Sequence, residues 1–219
     1  MPKYKCTSGL QVGGGSVRDV RLGDVVVGCQ KGKKEGVVVY ETHNNRPVQT
    51  RTVNNRPTSV TKALSRLETQ RAHLGRYIEQ SLAPFAPYAR PPPSSEHVPK
   101  FLGKDASKIP ARSNTSIPLV HFATIASAKH LERIPMKFDG HCVESEASWL
   151  QSEWPCLLIR GMVDYWGHGG NGNAEWRGYA CASAAAFGKI FLQAVREDEL
   201  MKDRIVIEEL AVRRGVKKA

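Results

Sequence analysis

Three carboxylates carry the chemistry this sequence offers. Glu144 and Glu146 stand two residues apart in the stretch Cys142–Leu150, and Asp164 follows the run Cys156–Val163, which is apolar except for Arg160 and Gly161. Two acids two apart on a strand point to one face. An acid where a buried strand ends sits where open α/β sheets collect ligands. If the Glu144 face meets the end of the Asp164 strand, three acids converge on one pocket. The alternative is a strand edge or helix start whose acids face water. A carboxyl group at such a place, its pKa raised by burial, can give a proton to a leaving group. The run Gly13-Gly14-Gly15 either brings backbone N–H groups close to a phosphate or ribose, or is a flexible turn. His121, His130 and His141, with Cys142 beside them, match no metal-ligand spacing and read as surface or core residues.

Those side chains need a sheet and a helix to hold them. Cys156–Val163 is short, apolar and reads as a buried strand. A glycine-rich loop from Gly167 to Asn173 follows, and then a helix from Trp176 with Tyr179, Ala182, Ala186, Ile190 and Ala194 at helical spacing. Its small residues from Ala182 to Ala186 let it lie close on a sheet. Val20–Val27 reads as a tight turn at Gly23-Asp24 feeding another buried strand, with Asp24 a structural turn residue. Gly36–Tyr40 and Ile117–Ser127 are further strands, and residues 41–57 a polar connection. Thr58–Leu82 reads as one helix with Val60, Leu64, Leu67, Leu74 and Ile78 on a stripe, and Lys62, Arg66, Arg71 and Arg76 largely off it. That basic face is either solvated or tracks phosphates. Pro84, Pro87 and Pro91–Pro93 end the helix and open a long proline-rich loop, and Arg204–Arg214 reads as a further helix or strand.

Composition bounds the class. The chain of 219 residues is 41% hydrophobic and 24% charged, enough to bury one core. Its net charge of +11 favours anionic partners. The five cysteines are widely spaced without a Cys-x-x-Cys pair. That pattern suits reduced thiols in a cytoplasmic protein rather than a disulfide frame or zinc site. No hydrophobic signal region or membrane-length run is present, so no membrane partner is expected. Nucleic acid has only the charge behind it.

Several blocks, in order, resemble the nucleoside phosphorylase and methylthioadenosine nucleosidase superfamily in its fungal form. They are Arg160 with Asp164 and Trp176-Arg-Gly-Tyr-Ala180; a Gly-Gly loop at Gly13-Gly14 followed by the Gly23-Asp24 strand; Ile125-Ala-Ser127; and Glu144-Ser-Glu-Ala147 against the family's Glu-Met-Glu-Ala. Together they span residues 12–27, 36–80, 117–127 and 142–192. The resemblance implies an α/β fold with a mixed sheet flanked by helices. It implies one domain over residues 1–200, incomplete at its N-terminus and carrying a proline-rich loop at 84–112, with a C-terminal extension at 201–219. By resemblance, Gly13 and Gly14 line the ribosyl site, Glu146 holds the ribose hydroxyls, Glu144 supports the sugar site and Asp164 is the acid that protonates the departing purine. Ser145 takes the place of the methionine that packs on the ribose, and Ala128-Lys129 replaces a glycine and a short polar residue near the base. The implied reaction is cleavage of the N-glycosidic bond of a purine nucleoside or nucleotide, to water or phosphate, with no metal or organic cofactor. Its transition state places positive charge on the ribose ring. The alternative is a nucleotide-binding or scaffold module without turnover, in a larger signalling protein. An incomplete sheet would also leave an edge that invites homo-oligomers.

Overall fold

A computed structural model describes residues 9–10, 20–29, 36–44, 46–53, 56–96, 117–130, 142–150, 156–165 and 174–204. The apolar runs become two mixed sheets with helices packed on them, so the fold is α/β. The strands are β1 (Gly9–Leu10), β2 (Val25–Gly28), β3 (Val37–His43), β4 (Arg46–Thr52), β5 (Val120–Ala123), β6 (Ile125–Ala128), β7 (Cys142–Glu144), β8 (Ile159–Gly161) and β9 (Asp164–Tyr165). One sheet runs β4-β3-β6-β7-β1-β9 and the other β5-β2-β8. Only Thr124 separates β5 from β6, and only Met162 and Val163 separate β8 from β9, so two passes of chain cross from one sheet to the other. The neighbours β3, β6 and β7 are parallel, which brings their carboxyl ends to one edge.

Helices α1 (Thr58–Thr69), α2 (Arg71–Leu82) and α3 (Trp176–Ala194) cover the smaller sheet. Val25, Val27, Val120 and Phe122 meet Leu64, Leu67, Leu74, Ile78, Phe187 and Phe191 in one core. On the other side Val26, Val39, Ile125, Cys142, Met162, Tyr165, Trp176 and Tyr179 form a second core. A smaller cluster of Val38, Ala126, Ala128 and Val143, with Tyr40 against it, lies on the remaining face of the large sheet. The alternation of Val37, Val38 and Val39 between these two clusters follows from the two-residue period of a strand.

Several expectations need revision. Residues 46–52 are not a polar connection but a strand paired antiparallel to β3. Their side chains are mostly exposed on both faces, so no apolar alternation marks them. The turn between the two strands uses Asn44 at φ 50, a left-handed conformation that asparagine tolerates. The single helix expected over Thr58–Leu82 is two, broken at Gln70, where φ −98 and ψ 11 leave the helical region. The strand expected from Ile117 is interrupted at Thr124, and the one expected from Cys156 is ordered as a strand only over Ile159–Gly161. The buried face of α3 carries Trp176, Tyr179, Ala180, Ser183, Ala186, Phe187 and Phe191, which leaves Ala182 and Ile190 at its margin.

The helix does lie close on the sheet, and the contact is made at Gly161. A Cβ there would stand 1.9 Å from the carbonyl oxygen of Ala180, so only glycine lets α3 seat on β8. A short helix over residues 197–204 closes the described chain. From it, Asp203 accepts hydrogen bonds from the backbone N–H of Thr58 (3.2 Å) and Ser59 (2.7 Å), filling the role of an N-cap that Pro57 cannot supply. Arg66 donates to both carboxylate oxygens of Glu199, at 3.0 and 2.8 Å, and to the Ala194 carbonyl at 2.8 Å. The Arg66 guanidinium, although its side chain is 37% exposed, is thus tied to the end of α3 and the short helix after it. Among the described residues, no helix is long and apolar enough to cross a membrane.

Candidate functional site

Glu144, Glu146 and Arg160 come together. Glu144 is the last residue of β7 and is fully buried. Arg160 lies on β8 in register with Val26, whose side chain belongs to the core on the same side as Glu144. Its Nη2 donates to Glu144 Oε2, and to Glu146 Oε2 at 2.9 Å. The Glu144 carboxylate also accepts from the backbone N–H of Glu146 at 2.8 Å and of Ala147 at 3.2 and 3.1 Å, which folds the chain back over the strand end. Burial pushes the Glu144 carboxyl above the ordinary carboxylate range, and the Arg160 guanidinium offsets part of that shift. Burial also pushes the neighbouring Cys142 thiol up, so it is a poor nucleophile.

Glu146 differs from its partner. It has left the strand, its side chain is 39% exposed, and it reaches back into the cluster through Arg160. The geometry therefore gives a rigid, charge-compensated base, Glu144 with Arg160, carrying one carboxylate within reach of solvent. Such a carboxylate is a pair of acceptors fixed in place, suited to adjacent hydroxyl groups. Ser145, between the two acids, is half-buried, and its N–H donates to Glu146 Oε2 at 3.2 Å.

Asp164 opens β9, and its Oδ1 accepts from the N–H of Tyr165 at 2.8 Å. The ladder puts Gly9 opposite both Val143 and Asp164, so Asp164 shares a row with Val143, one residue off the row of Glu144. Alternation then directs Asp164 to the face of Val143 and Glu144 to the face of Cys142. The cause is the interruption at Met162–Val163. Met162 and Tyr165, three residues apart, both pack in one core, and Asp164 is turned to the other side. The expected meeting of three acids on one face of the ladder is thus two acids and an arginine. Gly13, Gly14, His141 and the glycine-rich loop at 167–173 lie outside the described residues.

Arg160 is the residue that sequence reasoning left without a role. Its signal was present: a cation in the middle of an apolar strand must find buried anions. Asp24 is where the sequence put it, in a structural turn. It accepts from the N–H of Arg21 and of Leu119, both at 2.9 Å, and pairs with His121 Nε2 at 3.0 Å. Among the described residues, no three His, Cys, Asp or Glu side chains assemble into a metal centre.

No family model matches the chain. No solved structure matches it either. It is similar to a nucleotide-binding leucine-rich repeat (NLR)-like protein of Hyaloscypha variabilis, 26% identical over 229 residues. That alignment takes in 90% of this chain and 23% of the relative, so the chain spans about a quarter of the length of the protein it matches.

Proposed function

We propose that the chain is a nucleoside- or nucleotide-recognising module of a larger signalling protein, with the ribosyl hydroxyls held by Glu146. The observation that carries this reading is the Arg160 guanidinium bridging a buried Glu144 and a partly exposed Glu146 at a strand end. A carboxylate fixed this way binds a diol without first losing side-chain entropy. The likeness to an NLR-like protein over most of the chain supports a recognition role. The resemblance of Glu144-Ser-Glu-Ala147 and Arg160–Asp164 to nucleoside phosphorylase motifs supports the choice of ligand.

Cleavage of the N-glycosidic bond is the second reading, and the motif Arg160 to Asp164 ahead of the Trp176 helix favours it. In that mechanism Asp164 protonates the departing purine while Glu146 holds the ribose as positive charge grows on its ring. Because Asp164 and Glu144 leave the ladder on opposite faces, the nucleoside would have to straddle the strand ends. That demand favours recognition over turnover.

One set of assays tests both. Adenosine should bind the chain in calorimetry, and Glu146→Gln should weaken binding about tenfold, the loss of a charged hydrogen bond. Adenine release should stay at background, and Asp164→Asn should leave affinity unchanged. Release of adenine that falls about a hundredfold or more in Asp164→Asn would establish the second reading instead.

A further inference from the structure

We propose a second ligand site, for the phosphate-bearing form of a nucleotide, in the cleft between the carboxyl ends of β3 and β6 and the turn after β7. The cleft has a volume of about 330 Å³ and is lined by Tyr40, Glu41, Lys129, His130, Ser148 and Trp149, among others. That is the lower end of the size range of small-molecule sites, roughly 300–1,000 Å³. Tyr40 and Ala128 line it from one face of the large sheet, and Ser148 and Trp149 from the turn that also carries Glu146; Glu146 is not among its described lining residues, so the site does not depend on the Glu146 reading.

Trp149 is the observation that points to a ligand. Its side chain is 68% exposed, although an indole is normally a core residue. The Lys129 ammonium sits over the ring, 5.1 Å from its centroid. An exposed aromatic face is a stacking platform for a planar base. A base that stacks there displaces Lys129 from the ring and leaves the ammonium free to meet an anion carried by the same ligand. Lys129 and His130 are both exposed at the lip of the cleft, so a phosphate there remains partly solvated. Glu41, the one acid among the described lining residues, lies 3.9 Å from Arg51, which reduces its repulsion of an anion. Arg51 also donates to the Ser148 carbonyl and so fixes the turn that presents Trp149. Base on Trp149 and phosphate on Lys129 is the chemistry of a nucleoside monophosphate.

Calorimetric titration of the full chain with AMP, adenosine and inorganic phosphate, separately, tests the site. AMP should bind at least tenfold more tightly than either adenosine or phosphate alone. Lys129→Met should bring AMP down to the affinity of adenosine. Trp149→Leu should weaken AMP roughly tenfold or more, the scale of one lost base stack, while Trp149→Phe, which keeps a ring, should recover most of it. Both side chains are exposed, so thermal melts of the variants should match the parent. Glu146→Gln should leave AMP binding here unchanged, which separates this site from the ribosyl site. The proposal is overturned if AMP does not bind, if Lys129→Met and Trp149→Leu bind it as the parent does, or if phosphate alone binds as tightly as AMP.

Discussion

Asp24 and Glu144 are both fully buried carboxylates, and the contrast between them is between an acid of a structural turn and the acid on which the proposed site rests. Each takes backbone N–H groups and, among the described residues, pairs with a basic side chain. Asp24 ties Arg21, Leu119 and His121 together at the start of β2 and β5, and His121 is itself only 5% exposed. Both side chains of the Asp24–His121 pair are buried. Glu144 stands at the opposite kind of position, the carboxyl end of a strand that runs parallel to β6 and antiparallel to β1. Its basic partner, Arg160, extends to Glu146 and so couples the buried charge to a carboxylate that meets solvent. Burial alone does not make an acid functional. What matters is whether the group that neutralises it has a second, exposed anion to position.

The comparison can be broken by substitution, and the largest effect is expected at Arg160. Arg160→Met leaves Glu144 buried without its cation, a change that costs about 3–5 kcal/mol in comparable buried pairs. The urea midpoint should fall accordingly, and adenosine binding should be lost with it. A midpoint equal to that of the parent would mean the cluster is not formed in solution.

Asp24→Asn should cost less, about 1–3 kcal/mol, because one acceptor oxygen is kept while one set of donors loses its charged partner. In the folded variant, nucleoside affinity should be unchanged. If it fell, Asp24 would belong to the functional site and the distinction drawn above would fail.

A pH series sharpens the account through signs. Glu144 holds its proton more tightly when folded, so its contribution is full below about pH 4.3, its unfolded value, and is lost as pH rises through the raised value. Glu144→Gln should remove that decline. Glu199 runs the other way: the hydrogen bond from Arg66 holds its carboxyl below the usual range, and its contribution is lost as pH falls below about 4. Unfolding by urea between acid and neutral pH reads both slopes, and a Glu144→Gln curve parallel to the parent's would contradict the first.

What was legible in the sequence follows from how local each cause is. The Gly23-Asp24 turn could be read because glycine supplies the φ of +81 and the valines after it name the strand. The strand β4 could not, since a solvated strand shows no hydrophobic period. Glu144 and Glu146 were read as a pair, but on the premise that both lay on one strand. Glu146 instead turns back because Glu144 captures the N–H groups beyond the strand end. The facing of Asp164 depends on an irregularity at Met162–Val163, and an apolar run carries no mark of where its pleat is interrupted. The helix after Trp176 was placed correctly, yet its true contact point is Gly161, a long-range approach that the alanines of the helix only hint at.

The most direct measurement of the central claim is calorimetric titration of adenosine into the parent chain and Glu146→Gln, with thermal melts of both. Glu146 is partly exposed, so the substitution should change stability by no more than about 1 kcal/mol. The account predicts saturable binding by the parent, weakened about tenfold or more in Glu146→Gln at an unchanged melting temperature. Equal affinity in the two proteins, or no binding by the parent, would contradict it.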